Sequence, residues 1–463
     1  MKLTNEITLN NGINFIRKFF GAPNSLTRYA GLLAISQYVG AVIGFLTNIF
    51  AARILGPIEF GSAALILTYP MLLWSFLSFK PVTVTIRYIA GLRASGKRSE
   101  LISICKVGYT LDLLTSTAVS ILILTTSWWV ADHIYKLPDV SWLIVIYGVS
   151  LPFFSLIGTS HAILSSWQYF HWLSIFQIME KLITLFLVLG FLSFGLGIPG
   201  MIIAIAIGHS INGIIMLITA TRLLYLDGYG FWWKGSFSIT TSLRKELISF
   251  FSWNYFFVTL VGVVGQVPII LLGRIRGPEE AGFYRLATSL MTAGSYLEGS
   301  LRRVVYPNLS ARWAKGEINS IRDSLKRWTL KGGLPVGILL ILVTSLLPIF
   351  IPMVFGPSYS PMVTGAQIMM LGAAGSAVFF WLNSFYYASG RIVQWAKAYS
   401  LYTFLVIGLG WFCINQWGFV GMAAVIAVGK ILFTSSMVIL LVWSHGTFHE
   451  LLLGSRSDST RGT

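Results

Sequence analysis

Charge is scarce in this chain. Asp, Glu, Lys and Arg make up 11% of its 463 residues, where soluble proteins carry about 25%. With 55% of residues hydrophobic and a mean hydropathy of +0.75, there is too little polar surface to coat several water-facing domains, whereas lipid needs no such coat. Acidic residues are scarcer still: 16 Asp and Glu oppose 33 Lys and Arg, a formal net charge of +17. In a membrane chain that excess belongs in loops beside anionic cytoplasmic lipid, a better account than nucleic-acid binding. Cysteine is nearly missing, and Cys105 and Cys413 supply neither a disulfide framework nor a CxxC metal or redox pattern. Paired catalytic carboxylates, HExxH, GxSxG and GxxxxGK[ST] are all lacking. Neither an enzyme, a metal centre nor a cofactor is therefore expected. A continuous apolar core is missing from Met1–Arg28, where Asn5, Glu6, Asn10, Asn11 and Asn14 interrupt the pattern and exclude a cleavable signal. Ile13, Ile16, Phe19 and Phe20 beside Arg17 and Lys18 predict an interfacial helix there instead.

What the chain does have is apolar runs of about 20 residues, the length that crosses a bilayer. They fall near 29–52, 60–86, 107–130, 141–164, 171–194, 198–221, 249–272, 281–306, 331–354, 361–388, 395–416 and 418–443. The expectation is an all-α polytopic membrane protein of about 12 transmembrane helices. Placing the N-terminus in the cytoplasm gathers most basic residues on that side, including the dense set from Arg302 to Lys331, and leaves Arg53, Lys136, Arg274 and Arg276 outside. Both termini are then cytoplasmic.

Two internal matches share one offset. RILGPIEFG from Arg53 to Gly61 matches RIRGPEEAG from Arg274 to Gly282, and GIPGMIIAIAIG from Gly197 to Gly208 matches GFVGMAAVIAVG from Gly418 to Gly429, both 221 residues apart. Two matches in one register predict a duplicated six-helix unit. Six crossings return the chain to its starting side, so the repeats run parallel about an axis along the membrane normal. The expected organisation is an interfacial segment 1–28, an N-terminal lobe 29–221, a cytoplasmic linker 222–248, a C-terminal lobe 249–443 and a cytoplasmic tail 444–463. Within the first match, Gly56 and Gly277 suit a left-handed helix end, Pro57 and Pro278 restart a helix, and Glu59 and Glu280 sit at its positive N-terminus. The Gly-rich second match reads as close helix packing.

ARILGPIEFG, the following IRYIAGLRASGK and GIPGMIIAIAIG resemble the polysaccharide-biosynthesis or O-antigen flippase family of the multidrug, oligosaccharidyl-lipid and polysaccharide exporter superfamily. The resemblance runs through all twelve spans. It implies two six-helix bundles around a central cavity. By alternating access they would move an undecaprenyl-diphosphate-linked oligosaccharide from the cytoplasmic to the outer leaflet of a bacterial or archaeal cell membrane. The drug-exporter branch of the superfamily shares that architecture.

Ionisable groups deep in spans are costly and mark partners or wet cavities. Lys430 and the pair Glu180 and Lys181 lie near mid-span, and Gln177, Glu180, Lys181 and Thr184 make a polar stripe at helical spacing. The offset of 221 pairs His209 with Lys430, each following a glycine. Two matched basic groups suit a diphosphate, and the same register suits two groups satisfied by neighbouring helices. Lys80 and Arg87 fall on one face at the cytoplasmic mouth if the helix continues past Pro81. The substrate-binding candidates are thus His209, Lys430, Lys181, Lys80 and Arg87. Glu180 and Asp112 are candidates for coupling to H+ or Na+ or for gating, although interhelical hydrogen bonding accounts for Asp112 as well. Glu298 and Arg302, four apart, predict an intrahelical ion pair. Expected partners are the lipid-linked oligosaccharide, anionic lipids and polysaccharide polymerase machinery. A cation-coupled drug exporter is the main alternative, but acids deep in the first two spans, suited to cationic drugs, are lacking. A membrane enzyme of glycan assembly fits less well, because the longest outer loop offers only Asp132, His133 and Asp139.

Overall fold

The computed structural model describes residues 26–77, 82–234 and 241–443, and among them every regular element is a helix. The first half holds α1 (Leu26–Leu77), α2 (Val82–Ala94), α3 (Arg98–Trp129), α4 (Ser141–Ser155), α5 (Ile157–Ser166), α6 (Phe170–Ser193) and α7 (Gly197–Leu226). The second holds α8 (Thr241–Ile275), α9 (Pro278–Ala314), α10 (Ile318–Trp328), α11 (Leu334–Phe355), α12 (Met362–Ala377), α13 (Leu382–Ala388) and α14 (Ile392–Trp443). Among the described residues, eight helices are long and apolar enough to cross a membrane. Counting the pair α12 and α13, bent by 46°, as one broken span makes nine. Two of the eight, Gly31–Leu77 and Ile392–Leu441, run to 47 and 50 residues, more than twice a crossing length. Helix α9, which carries Arg285, Glu298 and Arg302, is not among them. The N-terminal interfacial segment and the tail lie outside the described residues.

Breaks fall where the duplicated motifs stand. Gly56, inside α1, has φ 75° and ψ 174°, and its counterpart Gly277, between α8 and α9, has φ 99° and ψ 175°. The second matched pair repeats this: Gly197 opens α7 at φ 51°, and Gly418 breaks α14 at φ 57°. A side chain rarely tolerates these values, so both copies of each motif end one helix and start another by the same backbone device. At the α14 break two charges tie the helix ends. The Arg276 guanidinium donates to the carbonyls of Ile414 (3.0 Å) and Asn415 (2.7 Å), and Glu280 Oε2 accepts from the Phe419 N–H at 2.6 Å. Cation to C-terminus and anion to N-terminus is the favourable pairing with the two helix dipoles.

The chain divides into two units. One gathers the described residues up to Asn48 with Leu77–Thr125 and Val145–Ser249. Its core at one end packs Ile89, Leu101, Tyr109, Trp167 and Leu224. There Trp232 stacks on Tyr109 with centroids 4.5 Å apart. Nearby, Trp167 donates to Asp227 at 2.8 Å beneath the Arg93 guanidinium. These contacts fasten the residues that follow α7 to α2, α3 and α5. The other unit comprises Ile49–Phe76, Thr126–Ile144 and Phe250 onward. Within it the second half of α1 runs antiparallel to α8: Leu65 abuts Gly273, and the Ser75 carbonyl accepts from Thr259 at 3.2 Å. The buried Tyr359 hydroxyl donates to the Ala52 carbonyl at 3.0 Å. Between the two turns the approach is reciprocal. A methyl group on Gly61 would overlap the Pro278 carbonyl, and one on Gly282 would stand 2.9 Å from the Pro57 carbonyl oxygen and 3.0 Å from Gly61 Cα. Pro57 pairs with Pro278 and Gly61 with Gly282 in the duplication register, so the seam is two-fold in its contacts.

Candidate functional site

In the first unit a buried carboxylate collects the polar stripe of α6. Glu180 Oε1 accepts from Lys181 Nζ at 2.9 Å and lies 3.5 Å from His209 Nε2. Its Oε2 accepts from Asn212 Nδ2 at 3.1 Å. The side chains are 11% exposed for Glu180, 14% for His209 and 37% for Lys181. His209 and Asn212 stand one turn apart on α7, and the His209 ring is flanked by Phe154 (centroids 4.9 Å apart) and Tyr147 (6.2 Å). Gln177, one turn earlier on α6, accepts from Ser36 at 3.2 Å. Helix α7 has no acid of its own, so the carboxylate beside His209 comes from the neighbouring helix. Asn212 was not picked out from sequence. Its signal was a mid-span amide three residues from His209.

Asp112 has a definite local task. Its Oδ2 accepts from the Thr159 N–H at 3.0 Å and from the Thr159 hydroxyl at 2.6 Å. Thr159 lies in the first turn of α5, where unpaired N–H groups and the helix dipole favour an anion. Asp112 of α3 therefore caps the helix that resumes after α4 stops at Ser155. Ser116, one turn on, reaches Ser155 Oγ at 3.1 Å.

The second unit contains a cavity of about 500 Å³ between α8, α9, α13 and the two halves of α14. Three cations line it: Arg285, Arg302 and Lys430. Arg285 and Arg302 are 17 residues apart on α9, about 25 Å along the helix. One side of the cavity is aromatic. Trp395, Tyr399 and Tyr402 recur at i, i+4 and i+7 on α14 and surround Phe433, with centroids 4.9, 5.6 and 5.8 Å from its ring. Gln266, Thr288, Thr292 and Asn383 add hydrogen-bonding groups. Helix α9 also makes the ion pair expected from spacing, with Arg302 Nη2 2.6 Å from Glu298 Oε2. Cations on a cavity wall suit an anion, and the aromatic faces suit the apolar face of a sugar or an isoprenoid.

The structure therefore separates the sequence candidates. Glu180, Lys181 and His209 form one cluster in the first unit, Asp112 caps α5, and Lys430 lines the cavity of the second unit. Arg87 lies on α2, and Lys80 falls outside the described residues. Arg285 and Arg302, which were not among the substrate-binding candidates, are on the cavity wall with Lys430. Among the described residues no cluster of His, Cys, Asp and Glu is arranged to hold a metal.

Residues 26–313 match the family described as polysaccharide biosynthesis protein. The chain belongs to that family. No curated protein sequence matches it. The lipid II flippase MurJ, in an inward closed conformation, is similar in structure with a TM-score of 0.71 at 15% identity, over 91% of this chain and 90% of that one. The MATE multidrug transporter DinF-BH gives a TM-score of 0.64 at 15% identity, over 93% and 97%. A mutant of the Vibrio cholerae MATE transporter VcmN gives 0.63 at 12% identity, over 91% and 99%. This polysaccharide biosynthesis family member thus has the fold of membrane transporters, and the resemblance read from its Gly, Pro and Arg motifs holds.

Proposed function

We propose that this family member is a flippase that carries an undecaprenyl-diphosphate-linked oligosaccharide from the cytoplasmic to the outer leaflet by alternating access. The observation that carries the reading is an aromatic-walled cavity with Arg302 and Lys430 on its wall and Arg285 further along the same wall. A drug exporter that takes cations has no use for basic side chains along its cavity wall, whereas a diphosphate head does. Twelve crossings in two parallel repeats go with this proposal: α1 and α14 each divide at a positive-φ glycine into two lengths sufficient to cross, and α9 supplies the polar, cavity-lining crossing. Cytoplasmic termini, an inner-membrane location, coupling to H+ or Na+ through Glu180 and association with polymerase machinery belong to the same proposal. Within it, His209 and Lys181 hold and tune Glu180, Lys430 contacts the head group directly, and Lys80 and Arg87 attract the anionic head at the cytoplasmic mouth.

The test is reconstitution. Purified protein in liposomes containing a fluorescent lipid-diphosphate-linked oligosaccharide should expose the cargo to an impermeant quencher or glycosidase on the opposite leaflet. Lys430→Gln should slow that exposure. Equal rates in protein-free liposomes, or faster movement of a cationic dye than of the lipid-linked sugar, would overturn the assignment.

A further inference from the structure

The ion pair beside the cavity is half made. Glu298 is 2% exposed, and its Oε2 holds Arg302 Nη2 at 2.6 Å. Among the described residues neither its Oε1 nor the Arg302 Nε, both buried, has a hydrogen-bond partner. Guanidinium and carboxylate ordinarily join by two parallel bonds, and here one of the two is unmade. Arg302 is also part of the cavity wall, together with Lys430. On the same wall Gln266 Oε1 and Trp395 Nε1 are buried polar atoms that likewise lack a partner among the described residues. Buried polar atoms are nearly always satisfied, and of these four the Arg302 Nε and Trp395 Nε1 are donors on the cavity wall that an entering anion would satisfy.

Among the described residues the charged surroundings of Glu298 are as follows. Its own helix brings Arg302, and α14 brings Lys430. Helices α11 and α12 contain no Asp, Glu, Lys, Arg or His, and α13 brings only the phenols of Tyr386 and Tyr387. Tyr399 and Tyr402 on α14 share the cavity with Arg302, and α8 brings Gln266. Helix α10 packs on α9 from Val305 and Leu309 to Arg312, which bonds Ser320 and Ser324, and the turn that follows brings the exposed Lys331 next to Gly332, which faces Leu301.

Resting on the flippase reading, we infer that Glu298 is the anion that holds Arg302 in the absence of cargo, that a phosphate oxygen of the cargo takes Arg302 over, and that the released Glu298 binds a proton from water. The chemistry requires the last step. A carboxylate in a dry interior is tolerated while a cation pairs with it, and when the cation leaves, the group neutralises itself. The carboxylate gains one proton and becomes the acid as the arginine–phosphate bonds form. It gives the proton back when the cargo leaves and Arg302 returns. Cargo binding and proton binding are therefore linked at Glu298, in a unit separate from the Glu180 cluster.

The experiment uses the full chain in detergent, at neutral pH in weak buffer with a pH-reporting dye, and inorganic pyrophosphate as the probe. The unmodified protein should take up about one proton more per pyrophosphate bound than Glu298→Gln does. Because the amide no longer competes as an anion for Arg302, Glu298→Gln should bind pyrophosphate at least about fivefold more tightly, within the usual range of coupling between sites. Equal proton uptake by the two proteins, or weaker binding by Glu298→Gln, overturns the linkage and leaves the flippase reading standing. Failure of the unmodified protein to bind pyrophosphate overturns both. If Glu298→Gln does not fold, an infrared difference spectrum of the unmodified protein decides: a protonated-carboxyl band should appear with pyrophosphate and shift in Glu298→Asp, and its absence overturns the linkage.

Discussion

Replacing Gly61 or Gly282 by Ala tests the seam between the two duplicated turns. Each added methyl meets a backbone carbonyl, which cannot swing aside as a flexible side chain would: Pro278 for Gly61, Pro57 for Gly282. Overpacking of this kind costs about 1–3 kcal/mol. Helix propensity acts in the opposite direction, favouring Ala over Gly by roughly 0.5–1 kcal/mol, so a loss of closure cannot be charged to a weaker helix. If the protein alternates between states with this seam closed and open, only the closed state bears the clash. A shift of about 1–3 kcal/mol changes the balance by about 5–150-fold. The assay places a single cysteine at Ala52, fully buried and held through its carbonyl by Tyr359, in a background where Cys105 and Cys413 are serine. An impermeant maleimide should label it slowly with Gly61 present and faster by that factor in Gly61→Ala. Gly282→Ala should do the same. Because the two contacts form one seam, the double variant should gain much less than the sum of the singles. Unchanged labelling in folded Gly61→Ala protein would refute the reasoning.

Three further outcomes follow from the described contacts. Lys430→Gln should lower transport of a diphosphate-linked cargo with little loss of folded protein, while Lys430→Arg keeps part of the activity; equal transport by all three proteins removes Lys430 from the cargo site. Glu180→Gln leaves Lys181 and His209 without their acid, so transport should lose its dependence on the ion gradient, and Glu180→Gln combined with Lys181→Gln should recover folded yield, measured by size-exclusion chromatography. Glu280→Gln exchanges a charge-assisted bond to the Phe419 N–H for a neutral one and should reduce thermal stability by about 1 kcal/mol, the scale of a helix cap, with a larger loss in Glu280→Ala.

Much of this architecture is written in the sequence because its causes are local. Apolar length gives helices, and Gly56 and Gly277 with their following prolines break them whatever lies alongside, as do Gly197 and Gly418. The offset of 221 is readable because both copies kept the residues the turn requires. Intrahelical spacing likewise gives the Glu298–Arg302 pair. Which faces turn inward is another matter. In α11, Ile349 is 70% exposed and Ile351 is fully buried, yet as letters they are the same, since lipid and protein interior are equally apolar and hydrophobic periodicity loses its contrast. So the sequence could name Glu180, His209 and Lys430 as costly groups but not their company. Packing of α6 against α7 brought Glu180 to His209 and Asn212. Folding of α9 across α14 put Arg285 and Arg302 on one cavity with Lys430. The approach of Gly61 to Gly282 came from residues more than 200 positions apart, whose only shared requirement is the absence of a side chain.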